Sequence, residues 1–170
     1  GAIPSDTPDI AALATRCQGR LDNVSAYYNA EKVRVGALGI WGSKDMAKTI
    51  ADRRNSSLNP LTKEIAQFVI WAKNQNLFQI AENRLGQIQT TAKFLKLIDN
   101  QETSGRLEKA RKNFAKAKEL NAEAKQAIEQ MDISDNSLTI IKDSLDALAF
   151  TWLGLAGAWL VLHRALYGDA

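Results

Sequence analysis

The side chains that carry most acid–base, nucleophilic and metal chemistry are scarce here: His163 is the one histidine and Cys17 the one cysteine among 170 residues. A Ser-His-Asp or Cys-His arrangement has to pass through His163, which closes the apolar stretch "TWLGLAGAWLVLH", residues 151–163. A ferritin-like di-iron site needs Glu-x-x-His on each of two helices, which one histidine does not supply. Axial haem ligation by His163 with Met46 or Met131 is the one haem reading that remains. The plainer reading is an exposed histidine near a helix C-terminus, where positive charge is favoured.

Cys17 excludes an intramolecular disulfide and Cys-based zinc clusters, because it has no second thiol. Its helical spacing puts it inside an apolar stripe, which reads as a small core residue and not as a nucleophile. The carboxylates are scattered over polar helix faces as supportive pairs such as Glu108 with Lys112. No two of them stand together in an apolar setting, as a general acid and base would. The expectation is a non-enzyme with no catalytic residues, no cofactor and no metal.

What remains is contact chemistry. Arg106, Lys109, Arg111, Lys112, Lys116 and Lys118 face one acidic residue, Glu108, within thirteen positions. That is an electrostatic footprint for an anionic surface, or else the solvated back of a helix whose second half is balanced by Glu119, Glu123 and Glu129. No aromatic residues are interleaved to stack on bases, and the net charge is only +3, so nucleic acid is not the expected partner. From Ala147 to Leu162 sixteen residues carry no charge. As a helix they span about 24 Å, short of the roughly 30 Å hydrocarbon core of a bilayer. Asp143 and Asp146 stop the run upstream, while His163 and Arg164 could snorkel at its other end. The favoured reading is a core helix buried on all sides; the others are a membrane-associated segment and an oligomer interface. The candidate contact residues are Lys109, Arg111, Lys112, Lys116, Trp152, Trp159 and Arg164. A further alternative gathers Trp41, Trp71, Trp152 or Trp159 around a pocket.

The elements that must position these residues read as helices throughout. Pro4, Pro8 and Pro60 are the only prolines, and no interior proline breaks a helix after residue 60. Thr7-Pro8 starts the first helix, with Ile10, Leu13, Cys17, Leu21, Val24 and Tyr28 at spacings of three and four. In "GALGIWG", Gly36, Gly39 and Gly42 predict a break, or a surface where another helix or a lipid chain approaches closely; the frame of a phosphate loop is missing. Ser43 is expected to cap a short helix over 44–54, followed by a loop at "NSSLN". Asn59-Pro60 opens a second long helix carrying Leu61, Ile65, Phe68, Ala72, Leu77, Ala81, Leu85, Ile88, Ala92 and Leu95. At about 60 Å it outruns its neighbours, so either a bend at Lys73–Asn76 or a protruding end is expected. A turn near "ETSG" leads to a heptad seam of Leu107, Ala110, Phe114, Ala117, Asn121, Ala124, Ile128 and Met131. Its small residues predict close packing on one partner, and Asn121 either fixes register or is tolerated. Ser134 or Asp135 caps the last helix, and Gly168 ends it.

The sequence therefore predicts one all-α domain over 1–170, an up-and-down bundle of four long helices with a short fifth. Residues 1–6 are expected to be a disordered or tag-derived start. The leading Gly reads as the scar of a removed segment, a signal peptide or a domain, and the reading leans to export, periplasmic or secreted. Two Asn-x-Ser sequons, at Asn23 and Asn55, carry meaning only in a eukaryotic secretory pathway. The expected role is a scaffold or assembly component acting through an unidentified protein partner or a second copy of itself. The alternatives are a membrane-active bundle that releases 147–162 into an anionic membrane, and a ligand-binding sensory bundle.

Overall fold

The computed structural model describes residues 8–131 and 135–168, with the backbone alone for Ile40, Trp41 and Asp135. Five α-helices follow one another: α1 (Pro8–Val35), α2 (Ile40–Arg53), α3 (Asn59–Phe94), α4 (Gln101–Glu129) and α5 (Asp135–Tyr167), with a π-helical turn, Arg54–Leu58, joining α2 to α3. No strand occurs among the described residues. The protein is an all-α, up-and-down bundle of four long helices, α1, α3, α4 and α5, with α2 as the short fifth. The caps expected at Thr7 and Ser134, and the start at 1–6, lie outside the described residues.

The α4–α5 pair dominates the packing. On α4, Thr103, Leu107, Ala110, Phe114, Ala117, Ala124 and Ile128 are buried, and on α5, Ser137, Ile141, Ser144, Leu148, Thr151, Leu155, Ala158 and Leu162. The α5 stripe alternates spacings of four and three, and so does that of α4 with the half-buried Asn121 between Ala117 and Ala124, the heptad rule. Each carries large residues at one heptad position and small ones at the other, so the two backbones come close. A Cβ added at Gly154 would sit 3.0 Å from Ala110 Cβ and 3.2 Å from its Cα, and Ser144 Oγ donates to Ala117 O at 3.5 Å. The narrow, small-residue seam expected from sequence thus finds its one close partner in α5. Met131, expected to extend it, is instead exposed in a left-handed turn (φ 59°) beyond the end of α4.

Along the opposite groove of α4 lies α3, parallel to α5. Three successive clusters record the register: Phe68 and Trp71 with Ile128 and Ile141, Phe78 and Ala81 with Phe114 and Leu148, and Ile88 and Ala92 with Leu107 and Leu155. Asn121 is a register element. Its amide donates to Gln75 Oε1 at 2.9 Å and accepts from Gln75 Nε2 at 3.1 Å. α3 runs unbroken through 73–76, and of the two expectations, a bend there or a protruding end, the structure shows the protruding end. Its buried stripe passes through Phe78, leaving Leu77 exposed, contrary to the face read from sequence.

The antiparallel α1 covers only the lower part of the α3–α4 groove, burying Ile10, Leu13 and Cys17 there. It is anchored by a buried carboxylate. Glu64, 2% exposed, pairs with Arg16 (3.3 Å) and with Arg20. Arg16 also donates to the end carbonyls of α4, Ile128 O at 2.6 Å and Glu129 O at 2.9 Å, where a cation satisfies acceptors that no helical N–H reaches. Above residue 10 no described helix lies over the groove, and below Arg20 the rest of α1 offers half-buried Leu21, Val24, Tyr27 and Tyr28 and the buried Glu31.

Three boundaries differ from expectation. "NSSLN" is no loop but a π-helical turn merging with α3, and Asn59 is helical (φ −62°, ψ −46°) instead of capping. A Pro60 ring crowds the carbonyl four residues earlier, and a widened turn relieves that crowding. Helices α2 and α3 thus form one helical run from 40 to 94, about 80 Å at 1.5 Å per residue, and the protruding end is this N-terminal extension. Ser43 lies inside α2 with its hydroxyl on Gly39 O (3.1 Å), and Gly39 occupies the cap position. The α3–α4 turn falls before "ETSG": Lys96 takes the left-handed conformation (φ 56°), and Asn100 Oδ1 caps α4 by accepting from the N–H groups of Glu102 (3.0 Å) and Thr103 (3.1 Å). An asparagine cap outweighs the weak break signal of Ser104-Gly105.

The seam makes a sharp prediction. Gly154→Val places methyl groups against the backbone of Ala110 and is expected to destabilise the protein by about 2–3 kcal/mol, as overpacking does. Urea unfolding followed by circular dichroism measures it.

Candidate functional site

The site follows from how α5 divides its surface. Its mean hydropathy is the highest of the five helices, yet the heptad seam buries one stripe only. On the other side Phe150 (58% exposed), Leu153 (66%) and Leu160 (58%) stand in water, with Trp159, Leu166 and Tyr167 also exposed. This corrects the expectation of a helix buried on all sides. A seam with one close partner leaves much of α5's circumference uncovered, and no other described helix reaches that side.

The apolar surface continues onto α3. Ile70, Leu77, Arg84 and Thr91 recur every seventh residue and so share one stripe; Ile70 and Leu77 are exposed. Arg84 and Thr91, with Gln87 and Ile88, meet Trp159 around an open groove of about 520 Å³. Contiguous apolar exposure of this kind marks a contact surface more often than single exposed residues do. Its ends differ in charge: Asp143 and Asp146, beside Lys142, at one and Arg164 at the other, all exposed.

The candidate residues divide between this surface and its surroundings. Trp159 and Arg164 lie on it. Trp152 is half-buried and packs against the two upper core clusters, so it supports the surface from behind. Lys109, Arg111, Lys112 and Lys116 are exposed on α4 but do not act as one patch. Arg111 turns to α3, where Gln89, in the orientation that satisfies both, accepts from its Nε and Nη2 (2.6 and 2.8 Å). Lys112 pairs with Glu108 (3.5 Å) and Lys116 with Glu119 (3.1 Å). Sequence reasoning missed Phe150, Leu153 and Leu160, because hydrophobicity alone did not say which side of α5 would be covered.

The residues with chemistry stay apart. His163 lies against Tyr167, ring centroids 4.8 Å apart and planes tilted by 41°. Met131 lies at the opposite end of the bundle, against Arg20 Nη1 at 3.3 Å, and Met46 is buried in α2, so no haem-ligating pair with His163 converges. No group of three metal-ligating side chains occurs among the described residues. Trp71 is buried in the lower core while Trp159 is on the upper groove, so the tryptophans do not share a pocket; the Trp41 side chain lies outside the described ones. No protein-family model matches the chain, and neither does any curated protein or solved structure.

Cys17 is buried beside the Glu64 pair. Burial first, and the Glu64 carboxylate second, push its thiol above the ordinary value, against the pull of Arg16 and Arg20. The folded state therefore holds the neutral thiol, and the unfolded chain loses that proton first. Stability from this site is intact below the unfolded thiol's pKa and falls as pH rises through it. Native protein is expected to react with a disulfide reagent at pH 8.5 at least a hundredfold more slowly than urea-unfolded protein; comparable rates would contradict a core position.

Proposed function

We propose that this protein is a non-catalytic assembly component that associates with a second copy of itself through the outer face of α5. One observation carries the reading. Phe150, Leu153 and Leu160 form an exposed apolar strip between an acidic end and a basic end of the same helix. A two-fold axis near residue 155, with the helices antiparallel, sets Phe150 opposite Leu160. It also sets Asp146 opposite Arg164. Such a surface is self-complementary, as a closed two-fold interface requires. Near the axis Ala156 is exposed and small, while Gly157 is covered by the Arg106 side chain of α4.

A second reading rests on the length and composition of α5. Asn136–Tyr167 has a mean hydropathy of 1.7 over its most apolar window, only a third of which is buried, and by those measures it is able to cross a membrane. Insertion would strip α4 of its seam partner and carry Ser137, Ser144, Thr151 and two aspartates toward lipid, each at a cost. The apolar strip supports self-association without that loss.

Sedimentation velocity over a concentration series tests the proposal. A dimer is expected for the native sequence, and a monomer of unchanged helical content for Leu153→Asp and for Phe150→Asp. A native protein that is monomeric throughout, yet resists high-salt extraction from vesicles, would overturn self-association in favour of insertion.

A further inference from the structure

The arm formed by α1 and α2 takes no part in the surface on α5. Past Arg20, which meets Glu64 and Met131 near the end of α4, α1 runs on for 15 residues to Val35. That is about 22 Å at 1.5 Å per residue. The chain turns at 36–39 and returns along α2. None of residues 22–53 belongs to the three core clusters, and the return is held by local contacts such as Arg53 over the Tyr27 ring (5.2 Å). The arm therefore presents its tip beyond the end of the bundle.

Two properties coincide at that tip. Val33 is 78% exposed, Val35 41% and Leu38 39%. Around them stand Lys32, Arg34, Lys44 and Lys48, all exposed; Arg34 pairs with the buried Glu31 (2.8 Å), and Asp45 is the single exposed acid. Residues 32–48 hold four of the chain's 22 basic residues and one of its 19 acidic ones; outside them, 18 basic residues meet 18 acidic. With Glu31, the partner of Arg34, counted in, residues 31–48 hold four basic and two acidic residues, so +2 of the net charge of +3 sits at the projecting end of one arm. Nucleic acid would use those cations and leave Val33, Val35 and Leu38 in water. An anionic bilayer surface uses both, with aliphatic side chains entering the acyl boundary and lysines held at the headgroups.

We propose that the α1–α2 tip docks the protein onto an anionic lipid surface through Val33, Val35 and Leu38 and the surrounding Lys32, Arg34, Lys44 and Lys48. The contact is separate from the pairing of α5 and needs no unfolding of the bundle. The bundle carries its own core clusters, so the arm can meet lipid while the bundle stays in water.

The test is flotation of the whole protein with phosphatidylcholine vesicles, with and without phosphatidylserine, at low and high salt. Binding is expected only with phosphatidylserine, and salt is expected to release it. Replacing two exposed cations, Lys44→Gln with Lys48→Gln, is expected to weaken binding about thirtyfold, and Val33→Asp to weaken it further. Both variants lie outside the core, so their thermal unfolding should match the native protein. Leu153→Asp should bind vesicles as the native protein does, whether or not it still dimerises. Failure of the native protein to float with phosphatidylserine at low salt would overturn the proposal. So would full binding by the tip variants, or loss of binding by Leu153→Asp alone, which would move the lipid contact to α5.

Discussion

The close approach of α4 and α5 is the constraint on which the rest of this fold depends. Ala110, Ala117 and Ala124 on one helix and Ser144, Thr151 and Ala158 on the other are buried on facing seams, and Gly154 lies against Ala110 with no space for a side chain. Small residues allow dense packing but bury little apolar area each. The larger members, Leu107, Phe114, Ile128, Leu148, Leu155 and Leu162, supply the area and are shared with α3. A tight pair flanked on one side by a third helix is stable without a fourth layer. That is why α5, the most apolar helix, is left with an open side.

The other helices accommodate to that pair. α3 follows the groove in register with α5, and the Gln75–Asn121 amide pair ties it to α4. A polar pair of this kind contributes modestly to stability and strongly to register, since slipping by a turn leaves two amides unpaired. α1 is held at one end by Arg16, which joins the Glu64 carboxylate to the last carbonyls of α4. Removing one member of such a buried group leaves the remainder unpaired, typically at about 3 kcal/mol or more. Everything in α1 beyond that clamp is free of the bundle core, and the arm exists for that reason. The two surfaces assigned here, one on α5 and one at the arm tip, are thus consequences of the same packing: what the seam and the clamp do not cover is what faces a partner.

Much of this was legible in the residues. The absence of interior prolines and the three-and-four spacings gave the helices, and the alternation of small and large residues on α4 announced a single close partner. Asn121 was open between a register element and a tolerated polar residue, and its pairing with Gln75 decides for the first. The boundaries were less legible. Asn59-Pro60 resembles a helix start, yet a π-helical turn lets the chain stay helical through it, because the crowding at a proline is relieved by widening as well as by stopping. Ser104-Gly105 resembles a turn, yet Asn100 caps the helix before it. The site was half legible. Trp159 and Arg164 lie on the α5 surface, but Phe150, Leu153 and Leu160 could not be told from core residues, since an apolar side chain does not reveal whether a neighbour covers it. The concentration of charge at 32–48 acquires its meaning only once the arm is seen to project.

The measurement that bears most directly on the central claim is a spin-label distance between copies, with one label on an introduced cysteine at Lys142 and Cys17 replaced by serine. Antiparallel pairing about residue 155 places the two labels about 40 Å apart, from 13 residues of helix on each side of the axis at 1.5 Å per residue. A distribution centred there is the predicted result. Labels within about 15 Å would indicate parallel pairing at helix-packing distance. That result, or no coupling between copies at all, would contradict the account.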